Sequence, residues 1–370
     1  MGETWLLPKR VFDGEHLREN VAIKIIDGIV DSLHPTSATS SNAQKLDGII
    51  SPGFIDLQVN GGGGILFNDT PTVEGILAIA NAHSAFGTIG ILPTIITDAP
   101  EVMDKAVEAA IAARECSGIL GVHIEGPHIS VPRRGTHAEC HVRPMDNATI
   151  SQVERLRNNG VAVMITLAPE AATSDQISHL ARLGAVVSIG HSDATAEATT
   201  QAIEAGASCA THLFNAMSPM LNRAPGVTGA VINSTIAAGI IVDGIHVADK
   251  MIAIAMRARP VEDTLFLVSD AMPTVGGPDK FKLYGVDVYL KDGCLVNDEG
   301  SLAGAHLTQA EGVYRLANTV GIEHEKTLRA AITVPARVIG REDFARIQGK
   351  AVGDLVCLGD DLKFNGLLKA

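Results

Sequence analysis

From residue 51 onward the chain repeats one pattern of apolar and polar positions: an amphipathic stretch at helical spacing, a glycine, a short aliphatic run, then polar residues. The spacing predicts helices near 72–86, 100–116, 148–158, 175–183 and 194–205. Each ends at a glycine (Gly87, Gly118, Gly160, Gly184, Gly206), as a left-handed C-terminal cap requires. Strands are expected at TIGILPT, GILGVHIEG, VAVMITLAP, AVVSIGH and ASCATHL, with FIDLQV before them and AAGIIVD and TLFLVSD after. Continuous aliphatic strands suit a parallel sheet buried on both faces. Eight of them, about 30 residues apart, predict an α/β fold, a (β/α)8 TIM-type barrel whose site lies at the C-terminal strand ends.

The remaining chain follows a different pattern. Residues 1–50 alternate apolar and polar positions around DG and EN pairs, which predicts short antiparallel strands, and the C-terminal residues read alike. A small β domain from 1–50 plus 340–370 is therefore expected, with the barrel over 51–339. A hairpin pattern near 281–300 interrupts the barrel and could join either domain.

Composition narrows the function classes. The 370 residues are 46% hydrophobic and carry a formal charge of −13, which disfavours nucleic acid and anionic membranes as partners. One Trp and 4% aromatics leave few platforms for polysaccharide, so a small ligand is expected. Five cysteines without CxxC spacing argue against a disulfide framework or thiolate zinc. MGETWLLPKR does not read as a signal peptide, and no apolar run reaches the roughly 18 residues of a membrane helix. A cytoplasmic location is expected.

The predicted strand ends carry the chemistry: Gln58 and Asn60 on strand one, His123 and Glu125 on strand three, His191 on five, His212 on six, Asp243 with His246 on seven, Asp270 on eight. Gln58 and Asn60 share a face, because strand side chains alternate. A lone strand-end histidine is more often structural than a ligand. Two at the same level of adjacent strands, joined by one helix capped by Ser192 or Asp193, reverse that preference. With Glu125, whose buried carboxylate needs a cation or donors, they form a set suited to one divalent ion with an open position. Zinc is the first expectation, with iron, manganese or cobalt as alternatives. His123 reads as structural or as a support for the ligands, and Gln58 and Asn60 as a vestigial metal position. Asp270 closes an apolar strand; it is either a turn residue or a general base toward water activated by the metal. VPRRGTHAECHVR concentrates basic residues, and His137 and Arg223 are candidates to meet an anionic substrate group.

Eight motifs, PGFIDLQVNG, HIEGPHIS, RRGTH, GHSDAT, THLFNAM, DGIHV, LVSDAM and GSLAGAHLT, stand in an order and spacing that resemble the N-acetylglucosamine-6-phosphate deacetylases of the amidohydrolase superfamily. The resemblance runs from about residue 48 to the C-terminus. It implies that Glu125, His191 and His212 bind the metal and that Asp270 is general base, then acid, in hydrolysis of N-acetyl-D-glucosamine 6-phosphate to D-glucosamine 6-phosphate and acetate. It assigns sugar-phosphate contacts to Thr136, His137, Asn215, Ala216, Arg223, His246, Leu302, Ala303 and Gly304. In relatives the arginine matching Arg223 can come from a neighbouring subunit, which implies a homodimer. Two-metal members of the superfamily carry HxH on strand one and often a carboxylated lysine on strand four. Here Gln58, Asn60 and VMITLAPE take those places, so one metal is expected. The alternatives are N-acetylgalactosamine-6-phosphate deacetylation and, in another class, a non-catalytic scaffold on the same barrel.

Overall fold

The computed structural model describes residues 2–39, 42–297, 300 and 302–369. Eight parallel strands form one sheet in chain order: Phe54–Val59, Thr88–Ile96, Val122–Glu125, Val163–Leu167, Val186–Ile189, Cys209–Ala210, Ala237–Ile240 and Leu265–Leu267. They match the eight predicted runs. Nearly every residue in them is buried, because the barrel interior covers one face and the helices the other. Val73–Ser84, Pro100–Ala113, Asn147–Asn158, Ser174–Arg182 and Ala196–Glu204 occupy the five predicted helical stretches, and the five predicted cap glycines all have positive φ. The cap of the fifth helix differs from expectation. Thr195 accepts from Ala198 N–H, while Ser192 and Asp193 hydrogen-bond to Glu170 and tie the loop after barrel strand five to the segment after strand four. Among the described residues no helix is long and apolar enough to cross a membrane.

The seam between strands eight and one is held differently from the other seven. On its other side the first strand shifts register against strand two between Asp56 and Val59, the local distortion of a bulge. At the seam the Asp56 carboxylate accepts Ser269 N–H and Gln58 N–H, each at 3.2 Å. Gln58 O accepts Asp270 N–H at 3.0 Å, and Gln309 Nε2 donates to Leu267 O at 3.0 Å. Side chains thus supplement the few backbone bonds that join the closing strands.

Asp56 is fully buried, and burial pushes its carboxyl up from 3.8 to about 7 despite donors from Ser269, Gln58 and Gln309. Because folding raises this pKa, the folded chain holds the proton more tightly than the unfolded one. The resulting stability is complete below about pH 4 and is lost as pH climbs through about 7. Asp56→Asn keeps an acceptor for Ser269 and has no charge to bury. Relative to the parent, it is expected to gain about 2 to 3 kcal/mol between pH 5 and pH 8. Denaturant unfolding of both proteins at the two pH values checks this, and a gap unchanged by pH would refute it.

Both termini build a seven-stranded sheet: Glu3–Phe12, Leu17–Glu19, Val21–Ile26, Ile29–Pro35, Gln44–Pro52, Leu355–Leu358 and Phe364–Leu367. Its pairing is antiparallel, as predicted, except that Glu3–Phe12 runs parallel to Gln44–Pro52. Its core includes Leu6, Ile23, Val30, Ile50 and Leu355. The pattern expected to form a hairpin is a four-stranded antiparallel meander, Lys280–Leu283, Val286–Lys291, Cys294–Asn297 and Leu302–Ala305. It joins the barrel mouth: Leu283, Val288, Leu295 and Ala303 pack on Leu66, Ile96 and Met272, which follow or end barrel strands one, two and eight. Gly304 fits there because a Cβ would come within 2.6 Å of Met272 Cγ.

Candidate metal centre and active site

Three strand ends bring Glu125, His191 and His212 together. Glu125 Oε1 lies 3.2 Å from His191 Nε2 and 3.0 Å from His212 Nε2, and the two nitrogens are 3.0 Å apart. His191 and His212, with Asp270, have φ of 49°, 30° and 52°. This left-handed conformation turns each side chain inward as the strand ends. It costs a non-glycine residue on the order of 1 kcal/mol or more and is characteristic of functional sites.

The donor set fits a cation. The three atoms form a triangle whose centre is about 1.8 Å from each corner. Those spacings suit a divalent ion with ligand distances of about 2.0–2.2 Å, which Glu125, His191 and His212 would hold together. The ring orientation agrees. His191 Nδ1 donates to the Arg133 carbonyl, 2.9 Å away, so Nε2 is the atom turned toward Glu125 and His212 and would be the one to ligate an ion. His212 Nδ1 is buried with no hydrogen-bond partner among the described residues. Burial would raise the Glu125 carboxyl, but the two imidazoles outweigh it and hold the group well below the usual carboxylate range. Burial would lower His212, but the hydrogen bond and charge of Glu125 raise it on balance.

Gln58 bridges the ligand set to Asp270. Its amide donates to Glu125 Oε1 at 2.9 Å and to Asp270 Oδ1 at 3.1 Å, and Asn60 Nδ2 donates to the same Asp270 oxygen at 2.7 Å. The two strand-one amides thus act as donors to carboxylates. Burial and the neighbouring Glu125 charge raise the pKa of Asp270, against His212 and the Asn60 donor. A carboxylate raised in this way binds a proton more readily, which suits a group that both accepts and returns one.

His123 is fully engaged by the protein. Its Nδ1 donates to Leu57 O at 3.0 Å, so its Nε2 accepts from Thr166 Oγ1 at 2.7 Å. Thr166 then accepts from Thr211, and Thr211 from Ser188, each at 2.6 Å. One ordered chain of hydroxyls crosses the barrel beneath the ligands. Burial keeps His123 neutral, with a pKa of about 4.

The remaining candidates lie on loops after the strand ends. The His137 ring centroid is 4.4 Å from that of His191, its Nδ1 is 2.7 Å from Thr97 Oγ1, and burial pushes its pKa down to about 3. Thr136, His137 and Ala303 line one cavity of about 280 Å3, shared with Leu283, Tyr284 and Val288 of the meander. Asn215 and Ala216 follow barrel strand six. Asn215 Nδ2 is 3.3 Å from His212 O, and Ala216 O accepts Ser192 N–H. His246 Nδ1 donates to Asp243 Oδ2 at 2.6 Å, while Asp243 Oδ1 accepts two backbone N–H groups of the same turn. Arg223 is exposed on the loop after strand six, and Leu302 is exposed on the meander. Thr97 and Tyr284 escaped the sequence reading, since ITDAP reads only as a strand end followed by a turn.

Residues 49–367 match the profile of the amidohydrolase family. Curated relatives include an N-acetylgalactosamine-6-phosphate deacetylase of Shewanella sp. (strain ANA-3), 39% identical over 361 residues, covering 95% of this chain and 91% of that protein. An N-acetylglucosamine-6-phosphate deacetylase of Haemophilus influenzae is 34% identical over 330 residues, 86% of this chain and 85% of that one. Among solved structures, the N-acetylglucosamine-6-phosphate deacetylase from Pasteurella multocida superposes with a TM-score of 0.90 at 34% identity, covering 99% of this chain and 98% of the other. A mutant of the Mycobacterium smegmatis deacetylase in complex with N-acetyl-D-glucosamine-6-phosphate also gives 0.90, at 28% identity, covering 100% and 98%.

Proposed function

The chain belongs to the amidohydrolase family, and from that premise we propose that it hydrolyses the acetamide of N-acetyl-D-glucosamine 6-phosphate to acetate and D-glucosamine 6-phosphate. The observation that carries this reading is the Gln58 amide, which spans Glu125 and Asp270 and so places a proton acceptor beside the metal position. A divalent ion held by Glu125, His191 and His212, zinc foremost, supplies a Lewis acid for the amide carbonyl and acidifies water.

The protein's own groups do the rest. Asp270 takes a proton from the water that adds to the carbonyl carbon, then gives it to the amine nitrogen as the C–N bond breaks. Gln58 and Asn60 keep the carboxylate aimed through both transfers. His137 donates to the carbonyl oxygen as negative charge develops there. Thr136, Asn215, Ala216, His246 and the Leu302–Gly304 segment surround the sugar phosphate. Arg223, exposed on its own chain, is proposed to reach the phosphate of a neighbouring copy across a homodimer. The phosphate, which cannot cross a bilayer unaided, also makes the cytoplasm the expected compartment.

A second reading, N-acetylgalactosamine 6-phosphate as the preferred substrate, is favoured by the 39% identical Shewanella relative. The two sugars differ at one hydroxyl. Acetate release from both epimers by the zinc-loaded protein, with its mass followed by sedimentation velocity, tests these readings together. A higher kcat/KM on the gluco epimer and a dimer are expected. A higher value on the galacto epimer would reassign the substrate, no release from either would remove the reading, and a monomer would return Arg223 to the surface.

A further inference from the structure

We propose that Thr97 is a positioning residue that fixes the tautomer of His137, so that His137 presents an Nε2 hydrogen to the substrate's amide carbonyl; this rests on the deacetylase reading of the site. Thr97 follows barrel strand two directly and is wholly buried. Its hydroxyl has one proton and two neighbouring acceptors, His137 Nδ1 at 2.7 Å and Glu125 O at 3.5 Å. Only the first lies within the ordinary range for a hydroxyl donor. The proton therefore goes to Nδ1, and a neutral imidazole that accepts at Nδ1 carries its own hydrogen on Nε2. The opposite arrangement would set a bare Nε2 lone pair against a carbonyl oxygen. That is repulsive where catalysis needs a donor.

Thr97 is held from two further sides. The Tyr284 hydroxyl, from the meander, donates to Thr97 O. At Gly126 an added Cβ would come within 2.2 Å of Thr97 Oγ1, so the glycine of HIEGP leaves room for this hydroxyl. The meander and the strand-three loop thus fix a hydroxyl whose short contact is with one ring nitrogen of His137, and its effect passes through that atom.

The test compares Thr97→Val, which keeps the shape and removes the hydroxyl, with Thr97→Ser, which restores it. In zinc-loaded protein labelled with 15N-histidine, His137 being assigned by comparison with His137→Asn, the parent and Thr97→Ser are expected to show hydrogen on Nε2, and Thr97→Val to lose that preference. kcat should fall about 10- to 100-fold in Thr97→Val, with KM within about twofold, zinc content unchanged and Thr97→Ser near the parent. A parent ring protonated on Nδ1, or a valine variant with parental tautomer and kcat, would overturn the proposal. If the parent turned over neither sugar phosphate, the deacetylase reading would fail, while the nitrogen shifts would still decide whether Thr97 sets the tautomer.

Discussion

Glu125→Gln is expected to lower bound zinc from about one ion per chain to a small fraction of that, and kcat/KM by more than about 10³-fold. The substitution changes almost nothing in size. What it removes is the negative charge at the corner of the triangle shared with His191 and His212, where every oxygen contact falls on Oε1. That charge is held ionised in a fully buried place by two imidazoles, at the cost of its own desolvation. Two neutral imidazoles and an amide oxygen offer a divalent ion no formal charge to offset its dehydration. Metal analysis of the purified variant, followed by acetate release at saturating zinc, measures both parts. Full zinc occupancy with parental turnover would mean that Glu125 is not a ligand.

The convergence of Glu125, His191 and His212 was legible in the sequence because three features of one-dimensional pattern agree on it. The aliphatic runs locate strand ends, the cap glycines fix their spacing, and the residues at those ends are the few polar ones in an apolar stretch. The barrel itself was legible for the same reason, since eight buried parallel strands leave little freedom of sequence. What remained hidden depends on contacts that periodicity does not encode. Asp56 reads as one more polar residue in FIDLQV, yet it supplements the few backbone bonds across the barrel seam. The meander is interrupted by turns whose residues say nothing about which surface they will cover, and only the apolar partners Leu66, Ile96 and Met272 settle it. The parallel pairing of Glu3–Phe12 with Gln44–Pro52 is a property of topology that alternation leaves open. Thr97 belongs to the same class: its part arises from a histidine 40 residues away in the chain.

Gln58 and Asn60 show where local pattern and chemistry meet. The alternation of a strand places them on one face, and both then donate to the same oxygen of Asp270. An HxH at these positions would contribute lone pairs toward a second ion. An amide pair contributes hydrogens instead, which favour the charged carboxylate that burial and Glu125 oppose.

Asp270→Asn separates proton transfer from metal binding. It is expected to lower kcat by roughly 10²–10⁴-fold while zinc content stays near that of the parent, because the hydrogen bonds between Asp270 and the Glu125–His191–His212 group run through Gln58. The asparagine oxygen can still accept from Gln58 or Asn60, so the strand-one amides lose little of their order. An amide cannot take a proton from water near neutral pH, nor return one to the departing nitrogen, so both halves of the reaction slow together. KM should change much less than kcat, since the loss falls on the transition state rather than on binding. Paired with Glu125→Gln, the variant gives two distinguishable defects: one protein without metal, the other with metal and substrate bound but no group to carry the proton. An Asp270→Asn enzyme that holds zinc and turns over at the parental rate would transfer the acid–base role to another residue at the mouth. His246, already hydrogen-bonded to Asp243 through Nδ1, would then be the residue to replace.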